Sequence, residues 1–273
     1  MNAPDKSSPA FVDLHSHLVP GVDDGSASIE ESRSSLAALF GEGVRGLVTT
    51  PHLLLPHLQT DAAIDRELAR HRRSFDSLAV ALEGEADIPV LDLGQEIWAP
   101  DAGAMRRVAG RADIGLAGSS AMLVEFGFQL QGTHTNVIEA AVAAGRRIVV
   151  AHPERYRYVD GEEPLDLMRR WREMGALLQV NAGSFSGHYR ESSPGSLELA
   201  WQMVAAGLVD LVATDHHGPR RAGVSPREAY EVLRSRGEGP LAERAMAELP
   251  AALLRNGAAA ERREALRTPS EDG

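Results

Sequence analysis

Two histidines two residues apart, His15 and His17, follow the apolar run Phe11 to Leu14. On extended chain such side chains point to the same side. Their imidazoles can therefore converge on one ion, and imidazole is the commonest metal ligand. Asp23, Asp24 and Gly25 follow in a Gly- and Pro-rich segment, so two carboxylates lie close to the pair in sequence. Alone the signal is weak: a His-x-His pair is commonly structural, and Asp-Asp-Gly is commonly a turn.

The same arrangement recurs along the chain. His52 follows the apolar run 46–50, Glu96 the run 88–93, and Glu125 the run 121–124. His152 follows 147–150, Asn181 follows 176–180, and Asp215 with His217 follows 209–213. Six of seven apolar runs thus end in a possible metal ligand and the other in a polar amide. Only ten histidines are present in all, and five hold these positions. Mixed imidazole and carboxylate without thiolate suits zinc, manganese or iron. The candidates exceed one tetrahedral set, so two or three divalent ions are expected, with Glu96 able to bridge a pair. Clustered ions lower the pKa of a shared water and stabilise a phosphoryl oxygen as its charge grows.

Composition removes the competing chemistries. The 273 residues contain no cysteine, which excludes disulfides, thiolate zinc sites and cysteine nucleophiles. The single lysine, Lys6, lies in the polar N-terminal stretch. A buried Schiff-base lysine and a Gly-Lys-Ser/Thr phosphate loop are therefore absent. A net charge of −11 opposes binding of a nucleic-acid backbone. No apolar stretch is long enough to span a bilayer. The first residues lack a secretory pattern, so the expected location is cytoplasmic without membrane insertion.

The elements that must position these residues alternate. Strand-like runs at 11–14, 46–50, 88–93, 121–124, 147–150, 176–180 and 209–213 are interleaved with helical patterns. These cover 28–40, 60–82, 133–144, 166–174 and 195–206, with a broken helical pattern over 225–263. Ser28 with Glu31 reads as a capping box. Residues 98–119 read as irregular with one short helix. Alternation of this kind predicts parallel strands with helical crossovers in one α/β domain. In barrels so built, chemistry sits where the strand C-terminal ends converge. The expected boundaries are a disordered leader over 1–10, a domain over 11–266 and a frayed tail over 267–273.

On these residues the sequence resembles the polymerase and histidinol phosphatase (PHP) superfamily, most of all its bacterial metal-dependent protein-tyrosine phosphatases of capsule and exopolysaccharide synthesis. The resemblance rests on Asp13-Leu14-His15-Ser16-His17, Val22-Asp23-Asp24-Gly25, Thr50-Pro51-His52, Gly94-Gln95-Glu96-Ile97, Val124-Glu125-Phe126, Ala151-His152-Pro153-Glu154-Arg155-Tyr156, Gln179-Val180-Asn181 and Thr214-Asp215-His216-His217. It implies a distorted seven-stranded TIM-like α/β barrel, in agreement with the count of runs. It implies three metal sites: His15, His17, Glu96 and Asp215; then Glu96, Glu125 and His152; then Asp24, His52 and His217, with Asp23 the alternative to Asp24. Manganese is the foremost ion, with iron or zinc open.

The resemblance also implies that Arg155 contacts phosphoryl oxygens, which its guanidinium fork matches. Arg220 and Arg221 are candidates for a second arginine, although both come slightly early for the family pattern. Asn181 is a candidate substrate contact. Trp98, Tyr156 and His188 could line a pocket, with packing or surface roles the plainer reading. The implied reaction is hydrolysis of phosphotyrosine without a covalent phosphoenzyme, on a tyrosine-phosphorylated bacterial kinase or another phosphotyrosine protein. A small-molecule phosphatase acting on histidinol phosphate is the alternative.

Overall fold

The computed structural model describes residues 10–221 and 223–255. The expected leader up to Pro9, the helical pattern beyond 255, the domain end at 266 and the tail at 267–273 lie outside the described residues. All seven apolar runs become strands: β1 (Phe11–Asp13), β2 (Val44–Thr49), β4 (Val90–Leu93), β6 (Ala121–Glu125), β8 (Arg147–Ala151), β10 (Leu177–Asn181) and β11 (Leu211–Ala213). Two of them resume after a break, as β3 (His52–Leu54) and β5 (Glu96–Trp98). A short pair, β7 (Gln129–Leu130) and β9 (Arg157–Tyr158), stands apart as its own ribbon.

Every pairing among these strands is parallel. The order is β1-β2-β4 in one sheet and β11-β10-β8-β6-β5-β3 in the other. The breaks after β2 and β4 transfer the chain from one sheet to the other. Pro51, which has no N–H to donate, marks the first; Gly94 and Gln95 mark the second. The two sheets are not closed into one hydrogen-bonded ring. Instead the exits of β1 and β11 are stitched by Asp215 N to His15 O at 2.9 Å and His17 N to His216 O at 2.8 Å. Thr50 N bonds Ser16 O at 2.7 Å on the other side.

Both faces of the sheets are buried, as parallel sheets require. In β8, Ile148 and Val150 join the main core with Val137 and Ile138 of α4 (Thr135–Ala143) and Trp171 of α5 (Pro164–Glu173). Their neighbours Val149 and Ala151 turn to a second cluster with Leu14, Val48, Leu123 and Leu253. The period of two that separates these clusters also sets Leu177, Gln179 and Asn181 of β10 on one face. Apolar packing thus gives way to polar residues toward the strand exits.

The helices follow the sequence closely. α1 (Ile29–Gly41) is capped by Ser28, whose hydroxyl accepts from Glu31 N at 3.3 Å. The reciprocal bond of the expected capping box is displaced by one residue: Glu31 accepts from Ala27 N, at 2.8 Å. α2 (Asp61–Ala81) is capped by Thr60 and buries Ile64, Leu68, Phe75 and Leu78. Residues 98–119 contain α3 (Ala102–Val108) and two 3-10 turns. A five-residue α6 (Ala182–Ser186) directly follows β10. α7 (Ser196–Ala205) precedes β11, and the broken C-terminal pattern resolves into α8 (Pro226–Ser235), α9 (Gly239–Glu243), a π turn and α10 (Leu249–Leu254). No helix among the described residues is long and apolar enough to cross a membrane.

Candidate metal centre

The strand exits bring His15, His17, His52, Glu96, Glu125, His152, Asp215 and His217 to one place, with Asp24 arriving from the loop after β1. His15 Nε2 lies 3.2 Å from Glu96 Oε1 and 3.3 Å from Asp215 Oδ1. His17 Nε2 lies 3.2 Å from Glu96 Oε2 and 3.3 Å from Asp215 Oδ1. His52 Nδ1 is 3.0 Å from Glu96 Oε2 and 3.3 Å from Glu125 Oε1. His152 Nε2 is 3.1 Å from Glu96 Oε1. Asp24 Oδ1 is 3.5 Å from His52 Nε2 and 3.6 Å from His217 Nε2.

Four donor sets of metal-binding size result: His15–His17–Glu96, His15–His152–Asp215, His52–Glu96–Glu125, and His17–Asp24–His52–His217. The division differs in detail from the one the resemblance implies. His152 joins His15 and Asp215, while the Glu96–Glu125 pair is completed by His52. His52 has one nitrogen toward Glu96 and the other toward Asp24, so a single ring links two sets.

Neighbouring groups fix the imidazoles. His15 Nδ1 is 2.9 Å from Gln179 Oε1. A carbonyl oxygen only accepts, so this nitrogen carries the proton and Nε2 offers its lone pair to the centre. His17 Nδ1 is held the same way by Asp23 Oδ2 at 2.8 Å. Outer partners of this kind set the tautomer and orientation of metal-ligating histidines. Asp23 also accepts from Gly25 N and His52 N. The structure therefore separates the two aspartates: Asp24 faces the donors, and Asp23 orients His17 and ties the loop down.

Charge in this buried volume is densely coupled. Burial opposes protonation of His15, but Glu96 and Asp215 outweigh it and raise its pKa. Burial and the neighbouring His52 both oppose protonation of His17, yet Asp23 and Asp215 carry its pKa well above the usual value. Burial works against ionised Glu96 and Asp215, but the imidazoles around them hold both well below the carboxylate range. His217 goes the other way, pushed down to about 4 by burial and by His17. Among the donor side chains of the cluster, three buried polar atoms stay without hydrogen bonds: His52 Nδ1, Glu96 Oε2 and His152 Nδ1. Unpaired buried polar atoms are costly. The first two face each other and Glu125, where a cation would satisfy all three, so the donor set fits divalent ions.

The backbone is strained where the site needs it. His152 (φ 34°) and Asp215 (φ 53°) both adopt left-handed conformations. Such outliers persist where surrounding structure holds them and cluster at functional sites. His152 directly follows β8 and Asp215 lies two residues past β11, and each turns its side chain into the cluster.

Arg155 lies at the edge of the carboxylates. Its guanidinium donates to Asp215 Oδ2 at 2.7 Å and stacks 4.1 Å above the Tyr189 ring. Asn181 is buried and donates to the same Asp215 oxygen at 2.8 Å. Arg221 pairs with Asp24 Oδ2 and, with Arg155, lines a small pocket of about 60 Å³ over His217. Arg220 instead bonds Glu31 and the Gly25 carbonyl. His188 lines the small pocket beside Arg155. The Tyr156 hydroxyl is buried and accepts from Phe126 N, and Trp98 lines a separate, larger cleft. Sequence reasoning missed Gln179, Tyr189 and the buried Glu154, which accepts from Asn181 N and Ser184 Oγ. The Gln-Val-Asn and Pro-Glu-Arg motifs contain Gln179 and Glu154, and His188 adjoins Tyr189.

Residues 11–255 match the family model described as capsular polysaccharide synthesis, CpsB/CapC. The chain belongs to the CpsB/CapC family. This family member is 30% identical over 225 residues to the tyrosine-protein phosphatase YwqE of Bacillus subtilis, covering 82% of this chain and 84% of that one. It is 27% identical to the tyrosine-protein phosphatase CpsB of Streptococcus pneumoniae, covering 82% and 89%. Among solved structures, it is similar to one described with YwqE from Bacillus subtilis and CpsB from Streptococcus pneumoniae as metal-dependent tyrosine phosphatases. The TM-score there is 0.77 at 26% identity, over 90% of this chain and 95% of that one. A phosphotriesterase homology protein from Escherichia coli shares the fold alone, with TM-score 0.54 and 13% identity over 90% and 99% of the two chains.

Proposed function

We propose that this CpsB/CapC protein is a metal-dependent protein-tyrosine phosphatase. The observation that carries the reading is the convergence of five histidines and four carboxylates from separate strand exits, all within 3.6 Å of a partner, with Arg155 and Arg221 at the rim. The two sheets are then arcs of one distorted seven-segment barrel whose C-terminal mouth holds the centre. Its ligands are His15, His17, His52, Glu96, Glu125, His152, Asp215 and His217 with Asp24. The ions are two or three, manganese foremost. The substrate is a tyrosine-phosphorylated protein such as a bacterial kinase, met in the cytoplasm.

Divalent ions bound there would supply an activated water and a Lewis acid for the phosphoryl group. The protein's own residues do the rest. Glu96, reached by His15, His17, His52 and His152, is the shared carboxylate of the cluster. Gln179 and Asp23 keep the proton of His15 and His17 on the outer nitrogen. Arg155 presents a planar fork for phosphoryl oxygens, kept in place by Asp215 and by the Tyr189 face. Burial works against the charge on Arg155, but Asp215 outweighs it and raises its pKa, so the guanidinium stays cationic. Arg221 is the better placed second arginine, because it shares the small pocket that Arg220 does not reach. A phenolate leaving group, with parent pKa about 10, needs less protonation on departure than an alkoxide.

The test is hydrolysis of a phosphotyrosine peptide by metal-loaded protein, with histidinol phosphate as comparison. Activity on the peptide that disappears on chelation and returns with manganese is expected. Preference for histidinol phosphate, or full activity after chelation, would overturn the reading.

A further inference from the structure

A second cavity adjoins the metal centre. It has a volume of about 550 Å³, and Asp24, His52 and Glu125 form its inner wall. The rest of its lining includes Leu54, Leu58, Trp98 and Phe128, with Glu67 and Arg70 beside them. For scale, a dry cavity of roughly 150 Å³ accommodates benzene, so this space exceeds what one ring needs.

Two features mark it as built for an apolar occupant. Phe128 is 87% exposed at the rim, the most exposed of the large hydrophobic side chains among the described residues. Exposed apolar surface rimmed by polar groups is a common sign of a binding site. The rim is also held to a shape. Gly127 adopts φ +73°, and a Cβ there would lie 3.2 to 3.3 Å from the Trp98 indole. The chain therefore lies against the indole, as β7 begins its pairing with β9 immediately afterwards. On the other side, Arg70 donates to the Val22 carbonyl and fixes the loop that carries Asp23 and Asp24.

We propose that this cleft is the subsite for the tyrosyl ring of the substrate and its flanking peptide, with Phe128 and Trp98 as specificity-determining residues. The inference rests on the phosphatase reading and adds the part of the substrate that the ions and arginines do not touch. The phosphoryl group sits at the donors that form the inner wall. The ring, one ester bond away, meets Trp98 and Phe128, which offer faces for aromatic packing. The unfilled remainder accommodates residues flanking the phosphotyrosine, which favours a protein over a small metabolite. An alkyl phosphate would leave the aromatic walls in water.

The experiment compares wild type, Phe128→Ala and Phe128→Leu, a site too exposed for these changes to disturb folding. KM and kcat are measured with a phosphotyrosine peptide, alongside the inhibition constant of inorganic phosphate and the bound metal content. Phe128→Ala is expected to raise KM about three- to tenfold, on partial loss of the burial of one aromatic side chain. Phe128→Leu is expected to restore part of the loss, with phosphate inhibition and metal content at the wild-type level. An unchanged KM in Phe128→Ala would overturn the subsite assignment while leaving the phosphatase reading intact. A parallel rise in KM and in the phosphate inhibition constant would also overturn it, because the residue would then act through the phosphoryl site. Wild-type protein inert toward the peptide would overturn the parent reading instead.

Discussion

The Oδ2 atom of Asp23 lies 2.8 Å from Nδ1 of His17, while the carboxylate of the next residue, Asp24, faces His52 and His217. Adjacent aspartates therefore have different tasks, and their substitutions separate. Asp24→Ala removes a donor from the most exposed set and is expected to lower bound metal stoichiometry. Asp23→Asn keeps the side-chain shape and loses the charge that orients His17. Loss of an outer partner typically weakens metal affinity about 10- to 100-fold. Metal titration of the two variants checks this: Asp23→Asn should bind the same number of ions more weakly. Equal stoichiometry for both variants would reverse the assignment of Asp24.

Arg155 is ion-paired with Asp215 through one guanidinium nitrogen and stacked by its flat face on Tyr189. Arg155→Lys keeps the charge but loses the fork and the stacking. Catalytic efficiency on a phosphotyrosine substrate is expected to fall on the order of 100-fold, the usual scale for losing one oxyanion donor. Metal content should change little, since a lysine still offers Asp215 a charge. Efficiency within threefold of wild type would place Arg155 outside the phosphoryl site.

In the metal-free protein, Glu96 and Asp215 raise the pKa of His15, and carboxylates likewise raise those of His17 and His52, so at a given pH these imidazoles are protonated more than a free histidine is. A metal ligand must be unprotonated, so loading expels those protons. The sign follows: affinity rises with pH, and acidification drives ions off. Calorimetric titration with manganese in buffers of different ionisation enthalpy should report net proton release at pH 7. Release that vanishes at neutral pH would mean the imidazoles are already unprotonated. Bound ions should also raise the melting temperature, because they bind only the folded chain.

Much of this centre was legible in the sequence because each donor follows an apolar run, and a parallel sheet turns such exits to one end. The strand run 147–150 and His152 are the plainest instance. What stayed hidden depends on geometry between distant segments. Nothing in the sequence marks Gln179 as the partner of His15, 164 residues earlier. The strands β3 and β5 were missed because Pro51 and Gly94 read as terminators. In the fold they are transfer points, after which His52 pairs in register with Glu96. The same transfer leaves two open sheets where the resemblance implied one seven-stranded barrel. Asn181, read as a substrate contact, donates to Asp215, a relation only the juxtaposition of β10 and β11 reveals.

Gly25 closes the Asp-Asp-Gly turn against the backbone of His17, and a Cβ there would meet the His17 carbonyl oxygen at 1.9 Å and its Cβ at 2.6 Å. The obstacle is backbone and cannot rotate away. Gly25→Ala must displace either the loop bearing Asp23 and Asp24 or the strand exit bearing His17. Overpacking of this kind costs about 1 to 3 kcal/mol, and here the displaced atoms are the metal donors themselves. Loss of bound metal together with a lowered melting temperature is therefore expected. Gly41→Ala is the control: it ends α1, with nothing within 4 Å of an added Cβ, and alanine is the better helix former. Thermal melts and metal analysis of both variants provide the comparison. Wild-type metal content in Gly25→Ala would show that the turn can yield without moving His17, and the close approach would then lose its role in shaping the centre.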